Sequence, residues 1–185
     1  MMALATPAAA QPPGRPIPIR IVTSLGDIDA ELDSARAPIT VTNFLRYVDA
    51  HLLDAGTFFR TVTTSNQPTD SVRIEAIQGG VADVKLGQAF GPIDLERTSM
   101  TGLHHRDGVL SMARSMPNTA TGSFFITIGD QPALDFAGGR NPDGQGFAAF
   151  GRVTRGMEVV RTIQSRPANG QTLVAAVTIL RVERR

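Results

Sequence analysis

Three histidines, His51, His104 and His105, are the first candidates for chemistry, and two of them are adjacent in the turn-rich stretch Thr101-Gly102-Leu103-His104-His105-Arg106-Asp107-Gly108. Neighbours on an extended chain point to opposite sides, so that pair is poor geometry for a shared metal. A serine nucleophile of the G-x-S-x-G kind needs a sharp turn that this sequence does not contain. Cysteine is absent, which removes disulfides, thiolate metal sites, iron–sulfur clusters and Cys nucleophiles together. Lys85 is the single lysine, so Schiff-base and P-loop lysine chemistry has little to work with. Gly138-Gly139 and Gly151-Arg152-Val153 lack the following helix start that would aim N–H donors at a phosphate. Asp27 and Asp29 read as a solvated acidic face. Nothing here supports nucleophilic, metal or phosphate-transfer chemistry.

The elements that must position any site are mostly short strands. Period-2 alternation runs through Ile17 to Thr23, Asp27 to Asp33, Thr57 to Thr63, Arg73 to Gln78, Gly108 to Ala113, Ser123 to Gly129, Gly146 to Val153 and Thr172 to Val182. Two stretches break the rhythm. In Pro38 to Leu53, Val41, Phe44, Leu45, Val48 and Leu52 fall on one helical face, with Pro38 in the first turn and Gly56 just past the end. Met157, Val160 and Ile163 make a shorter stripe over Met157 to Gln164, after Gly156. A chain of 185 residues buries roughly 70% of its unfolded surface as one domain. The pattern predicts one mainly all-β domain, a closed eight-stranded antiparallel barrel capped by two helices. The loops Thr64 to Ser71 and Phe136 to Gln145 stand out as polar and Gly-rich, a composition common in binding elements. A formal charge of +1 gives no global field for nucleic acid or anionic lipid, so neither is expected as a partner.

Six segments then occur in order: Thr57-Phe58-Phe59-Arg60-Thr61-Val62, Ile77-Gln78-Gly79-Gly80, Gly108-Val109-Leu110-Ser111-Met112-Ala113-Arg114, Pro117 to Ile126, Leu134-Asp135, and Phe150-Gly151-Arg152-Val153. Together they resemble the cyclophilins, barrel-type peptidyl-prolyl cis–trans isomerases, over about Ile19 to Val182. Asn43-Phe44 is similar to a signature in that family's first helix.

The resemblance implies an activity that needs no cofactor. Rotating an X-Pro bond crosses an amide-resonance barrier of ~18–20 kcal/mol, and uncatalysed exchange takes tens to hundreds of seconds, on the order of a minute. A catalyst must hold the proline ring in an apolar pocket and stabilise the twisted amide, whose pyramidal nitrogen accepts a hydrogen bond. Arginine, permanently charged and rich in donors, suits that task. The resemblance assigns Arg60 as the catalytic arginine and Gln78 as the residue that orients it. It assigns Phe125 to the pocket floor and Leu134 to an aliphatic wall, although either can equally be ordinary core. Ala113 and Arg114 fall where the family binds substrate backbone, and Asn118 and Thr119 belong to the adjoining loop. Phe59, Ala76, Ser123 and Phe147 occupy further substrate-binding positions.

Several of these depart from the family pattern. Phe59 replaces a common histidine, and Glu75-Ala76 replaces a phenylalanine–methionine pair, which should loosen the pocket. Glu75 is expected to pair with Arg60 or Arg73. Ser123 replaces a glutamine. Phe147 stands where histidine is common and restores apolar surface. Ala133 lies roughly where a tryptophan supports tight cyclosporin binding, so weak binding at best is expected. The expected partners are proline-containing segments of client proteins, met by a monomer that assists folding. The alternative is a proline-peptide-binding or chaperone module with little turnover.

The first sixteen residues, Met1 to Pro16, are Ala- and Pro-rich and are expected to be a disordered tail before a domain over 17–185. Ala8-Ala9-Ala10-Gln11 resembles a signal-peptidase site without a basic n-region or full h-region, which suggests a periplasmic protein; a cytoplasmic one is the alternative.

Overall fold

The computed structural model describes residues 14–185. The tail expected over Met1 to Pro16 lies, up to residue 13, outside the described residues. Twelve elements follow in chain order: β1 (Ile17–Thr23), β2 (Gly26–Leu32), α1 (Pro38–Asp49), β3 (Thr57–Val62), β4 (Ala76–Gly80), α2 (Thr98–Thr101), β5 (Val109–Met112), β6 (Phe124–Thr127), β7 (Ala148–Arg155), α3 (Met157–Gln164), β8 (Ala168–Asn169) and β9 (Thr172–Arg184). Strand order is β1-β2-β7-β5-β6-β4-β3-β9, and pairing of β1 with β9 closes the sheet. Every pairing is antiparallel. The expected eight-stranded barrel is therefore present, with no free edge to manage. The two-residue β8 adds a short hairpin against β9, and α2 adds one helical turn that the pattern did not signal.

Alternation explains the barrel's interior. In β1 and β2 every second residue, Ile19, Ile21, Ile28, Ala30 and Leu32, is buried in one core. Phe44 of α1 stands edge-on to Phe124 at 5.4 Å between ring centres and lies 5.2 Å from Phe150. Phe58 meets Phe124 edge-on at 5.7 Å. Such aromatic pairs add about 0.5–1.5 kcal/mol each beyond area burial. Helix α1 packs on β7 and β9, and α3 on β2, β3 and β4.

Four local features set the scaffold of the site. Helix α1 has no side-chain cap of its own. Instead the buried Glu96 carboxylate accepts from the Ile39 and Thr40 amides at 3.1 and 2.8 Å, a charge placed at the positive end of the helix dipole. Asn43 Nδ2 donates to the Thr121 carbonyl at 2.7 Å, tying α1 to the segment leading into β6. The helix stops at Asp49 rather than Leu53, because His51 turns the chain at a φ of 53°; Leu52 and Leu53 stay buried outside the helix. Strand β4 begins at Ala76, three residues later than expected. Buried Gln67 explains the delay: its Nε2 donates to Thr63 O and Ile74 O, and its Oε1 accepts from Ile74 N. Those backbone groups are satisfied by a side chain instead of a neighbouring strand.

Candidate active site

A bulge in β3 makes the site. Phe58 pairs with Gly79, but the next registered pair is Arg60 with Gln78, and the shift recurs in the pairing with β9. Without it, Phe58 and Arg60 would share a face; the extra residue, Phe59, turns Arg60 outward while Phe58 stays in the core. A Cβ at Gly79 would sit 2.8 Å from the Phe58 ring, so glycine there is required for β4 to lie this close.

The half-buried Arg60 guanidinium is held from two sides. Nη1 donates to Gln78 Oε1 at 2.8 Å. Nε and Nη2 both donate to Gln171 Oε1, at 2.9 and 2.5 Å. Gln171 lies at the tip of the β8–β9 hairpin, and its carbonyl accepts from Thr61 N at 2.9 Å, so the tip is docked beside Arg60. Gln171 Nε2 donates to Asn66 O at 3.4 Å, consistent with its amide oxygen facing the arginine. Of the five guanidinium N–H groups, three are engaged and one on each of Nη1 and Nη2 remains for a ligand. Burial, followed by the nearby Arg140 charge, pushes the Arg60 pKa below the usual arginine range, and Asp70 partly offsets this. Arg60 nevertheless stays cationic at any physiological pH. Glu75 does not pair with it: among the described residues its carboxylate accepts only from Thr64 N, at 3.4 Å.

Beside Arg60 opens a cavity of about 210 Å³ with an apolar floor and a polar, arginine-bearing rim. Val62, Ile74, Ala76, Phe125 and Leu134 form a buried cluster separate from the barrel core, with Ala113, Ala133 and Phe147 packed against it. Alternation along β6 sends Phe124 inward and Phe125 into this cluster. Phe147 stands edge-on to Phe125 at 5.3 Å. The apolar wall expected to be lost with Glu75-Ala76 is supplied by Val62, Ile74 and Phe147.

Behind Phe125 lies a hydrogen-bonded relay. The buried His105 ring stacks on Phe125 at 6.0 Å and 11°. Its Nδ1 lies 2.6 Å from Asp135 Oδ1 and its Nε2 lies 2.9 Å from Ser111 Oγ. With Asp135 ionised, Nδ1 carries the proton and Nε2 accepts from the serine hydroxyl. Burial alone would raise the Asp135 pKa, but hydrogen bonds from His105 and His104 outweigh it and hold the carboxyl at about 2. The order Ser–His–Asp is that of a nucleophilic triad, yet Ser111 is fully buried and does not line the cavity. The relay braces the pocket floor. Both adjacent histidines reach Asp135, His104 at 2.8 Å, because this stretch is coil and the opposite-sides rule for strands does not apply.

Arginines surround the mouth. Arg114, its side chain only 1% exposed, makes a two-pronged pair with Asp143 at 2.7 and 3.0 Å and donates twice to Gly146 O. Arg140 donates from Nη1 to Val72 O at 2.8 Å and lies 3.0 Å from Asp70. These contacts join the two loops singled out in the sequence, 64–71 and 136–145.

Of the residues singled out in the sequence, Arg60, Gln78, Ala76, Ala113, Arg114, Phe125, Leu134 and Phe147 line this one cavity. Phe59 and Ser123 do not. Phe59 occupies the bulge, and Ser123 lies against Gly80, its carbonyl accepting from Ala113 N at 2.9 Å. Asn118 serves the loop itself, its Oδ1 accepting from Leu95 N at 2.9 Å. Sequence reasoning missed Val62, Ile74, Arg140, Asn141 and Gln171. Alternation from Arg60 to Val62 was a usable signal; the others depend on chain segments that meet only in the fold. A larger cavity of about 670 Å³ lies elsewhere, near Leu32, Leu103 and Val109. Its charged groups are paired, Asp33 with Arg36, Glu31 with Arg152 and Asp107 with Arg161, so they present little for chemistry. Among the described residues no cluster of His, Asp and Glu is arranged to hold a metal.

Known proteins similar to this chain fall in one family. The family described as "Cyclophilin type peptidyl-prolyl cis-trans isomerase/CLD" matches residues 18–184. Peptidyl-prolyl cis-trans isomerase cyp18 of Streptomyces antibioticus is 36% identical over 149 residues, covering 79% of this chain and 82% of that protein. Peptidyl-prolyl cis-trans isomerase CYP18-2 of Arabidopsis thaliana is 32% identical over 181 residues, covering 95% and 98%. A crystal structure of a Cryptosporidium parvum cyclophilin-type isomerase, determined in the presence of the dipeptide Ala-Pro, superposes with a TM-score of 0.71 at 24% identity, covering 91% of this chain and 98% of that one; this similarity concerns the fold. The chain belongs to the cyclophilin-type peptidyl-prolyl cis–trans isomerase family.

Proposed function

We propose that the Arg60 cleft catalyses rotation about X-Pro bonds, with Arg60 as the electrostatic catalyst. The observation that carries this reading is a half-buried guanidinium, fixed by two glutamine carbonyls, with two N–H groups free beside a cavity floored by apolar side chains. The cavity's volume of about 210 Å³ is that of several waters at ~30 Å³ each, which accommodates a pyrrolidine ring. The ring seats on Phe125 between Val62, Ile74, Ala76, Leu134 and Phe147. As the bond twists, resonance is lost and the nitrogen becomes pyramidal, with a localised lone pair that accepts a hydrogen bond. One arginine N–H holds the carbonyl and another is in place to donate to the nitrogen. Because the guanidinium is already oriented, little reorganisation is needed in the transition state. Lowering the barrier by about 7 kcal/mol would accelerate exchange by roughly five decades. Gln78 and Gln171 position the arginine, and no proton transfer or cofactor is involved.

The substrates would be proline-containing segments of unfolded or extended proteins, and the protein would act as a monomeric folding helper. Within the chain, residues 17–185 would form the catalytic domain and 1–16 an appended tail. The small-residue pattern Ala8-Ala9-Ala10 supports export to a periplasm, with a cytoplasmic site as the alternative. No helix among the described residues is long and apolar enough to cross a membrane. A binding module with little turnover draws support from Glu75, Ala76 and Ser123, but Ile74 and Val62 close the pocket wall that Ala76 leaves open. Exchange measurements on a prolyl peptide decide between the two: acceleration well above the uncatalysed rate supports the isomerase. Tight peptide binding at the uncatalysed rate would establish the module instead.

A further inference from the structure

Three arginines and no carboxylate line the cavity: Arg60, Arg114 and Arg140. Their charges are compensated very differently. Arg114 is consumed by Asp143 and Gly146 and is sealed from solvent. Arg60 is held only by neutral amides. Arg140 shares one nitrogen, Nη1, between Val72 O and Asp70, which is itself 37% exposed. Among the described residues no acceptor takes its Nε or Nη2, the edge that grips a carboxylate with two parallel hydrogen bonds.

The Arg140 side chain is held in place at the cavity wall. The Arg140 amide donates to Ala133 O at 3.1 Å, next to Leu134 of the pocket. Val72 O holds the side chain from the opposite loop, and the loop carrying Arg140 is anchored at its far end by Arg114 and Asp143. Arg140 is therefore a fixed group of the cavity lining. Its charge also reaches Arg60, whose pKa is pressed down first by burial and then by Arg140. An anion between the two would relieve that repulsion, whereas a cation would add to it.

We infer that this cleft selects X-Pro segments carrying a carboxylate on a residue adjacent to the proline, with Arg140 as the specificity-determining residue that receives it. The inference rests on the proposed isomerase site and names its substrate class. A neutral residue binds without using the free guanidinium edge, and a lysine meets three arginines against two outlying carboxylates, Asp70 and Asp143, a net positive wall.

Two peptide series test this, one varying the residue before proline and one the residue after, each with Glu, Gln or Lys. Exchange rates and dissociation constants are measured by NMR on the whole protein. In at least one series Glu should exceed Gln in kcat/KM, or in affinity, by roughly tenfold, and Lys should be poorest. The Glu preference should shrink at high salt. In Arg140→Gln the Glu/Gln ratio should fall to about one, while Arg140→Lys should retain part of it. Equal treatment of Glu and Gln by the wild-type protein in both series would overturn the inference. So would a Glu preference that survives Arg140→Gln. Failure to accelerate any peptide, neutral ones included, would count against the isomerase reading; the affinity ratios would still decide the selectivity.

Discussion

Gln171 Oε1 accepts two hydrogen bonds from Arg60, from Nε at 2.9 Å and Nη2 at 2.5 Å, across 111 positions of sequence. Together with Gln78 on the other side, it fixes the plane of the guanidinium. Removing Gln171 should leave the proline cavity intact but free the arginine to turn. Gln171→Ala is expected to lower kcat by about tenfold with a smaller change in KM, because the oriented donor matters most in the transition state. NMR of the Arg60 Nε–H separates positioning from general destabilisation. Its signal should broaden or exchange faster in the variant while the amide spectrum of the barrel is unchanged. A proportional loss of kcat and thermal stability, with the Arg60 signal unaltered, would remove Gln171 from this role.

The relay beneath Phe125 predicts a specific acid sensitivity. Hydrogen bonds hold the Asp135 carboxyl at about 2, below the ordinary aspartate range, so its contribution is complete above about pH 5 and is lost as pH falls toward 2. The shift corresponds to roughly 2 kcal/mol for this largely buried carboxylate. Asp135→Asn should flatten the stability profile over that interval, measured by urea denaturation at successive pH values. An unchanged slope would show that the relay does not titrate as described. His105→Ala should cost about 2–4 kcal/mol, since it leaves the Ser111 hydroxyl without its partner, removes one of the two histidine contacts of Asp135 and takes away the ring supporting Phe125.

The Arg114–Asp143 pair anchors loop 136–145 beside the cavity. Hydrogen bonding from Arg114, with help from the Gln145 amide, holds the Asp143 carboxyl at about 2, so the anchor persists through neutral and mildly acidic pH. Asp143→Asn should speed hydrogen exchange at Ala137 and Gly144, whose backbones pair at 2.8 Å, and raise KM several-fold. Exchange in β3 and β4 should not move. A loop that exchanges as slowly as in the wild-type protein would show that the pair is not what fastens it.

Cyclosporin should inhibit weakly, because Ala133 offers only a methyl group where the family resemblance places an indole. Ala133 packs at the edge of the cavity cluster next to Leu134. Ala133→Trp should tighten inhibition at least about tenfold through added buried aromatic area. Equal inhibition of both proteins would place the drug contact elsewhere.

Much of this was legible in the sequence wherever local physics decided the outcome. Period-2 alternation placed all eight barrel strands, and the stripe Met157–Val160–Ile163 placed α3 with its observed limits. Arg60, Gln78, Phe125 and Leu134 were found through the ordered segments around them. What escaped was decided by contacts distant in the chain. Glu96 caps α1 from 57 positions away, and Gln171 reaches Arg60 only because the β8–β9 hairpin docks on β3. Ile74 reads as a strand residue, but the buried Gln67 amide removes it from the ladder and presents it to the cavity. The adjacent histidines meet on one carboxylate, Asp135, because their stretch is coil, a contact that their spacing alone does not show.

The role of Arg60 is decided by NMR exchange on a single prolyl peptide with wild-type protein and Arg60→Ala. The wild-type protein should accelerate cis-to-trans exchange well above the uncatalysed rate. Arg60→Ala should lose at least about 100-fold in kcat/KM, the scale for removing one oriented donor, while still binding the peptide within a few-fold. Equal exchange rates for the two proteins would contradict it.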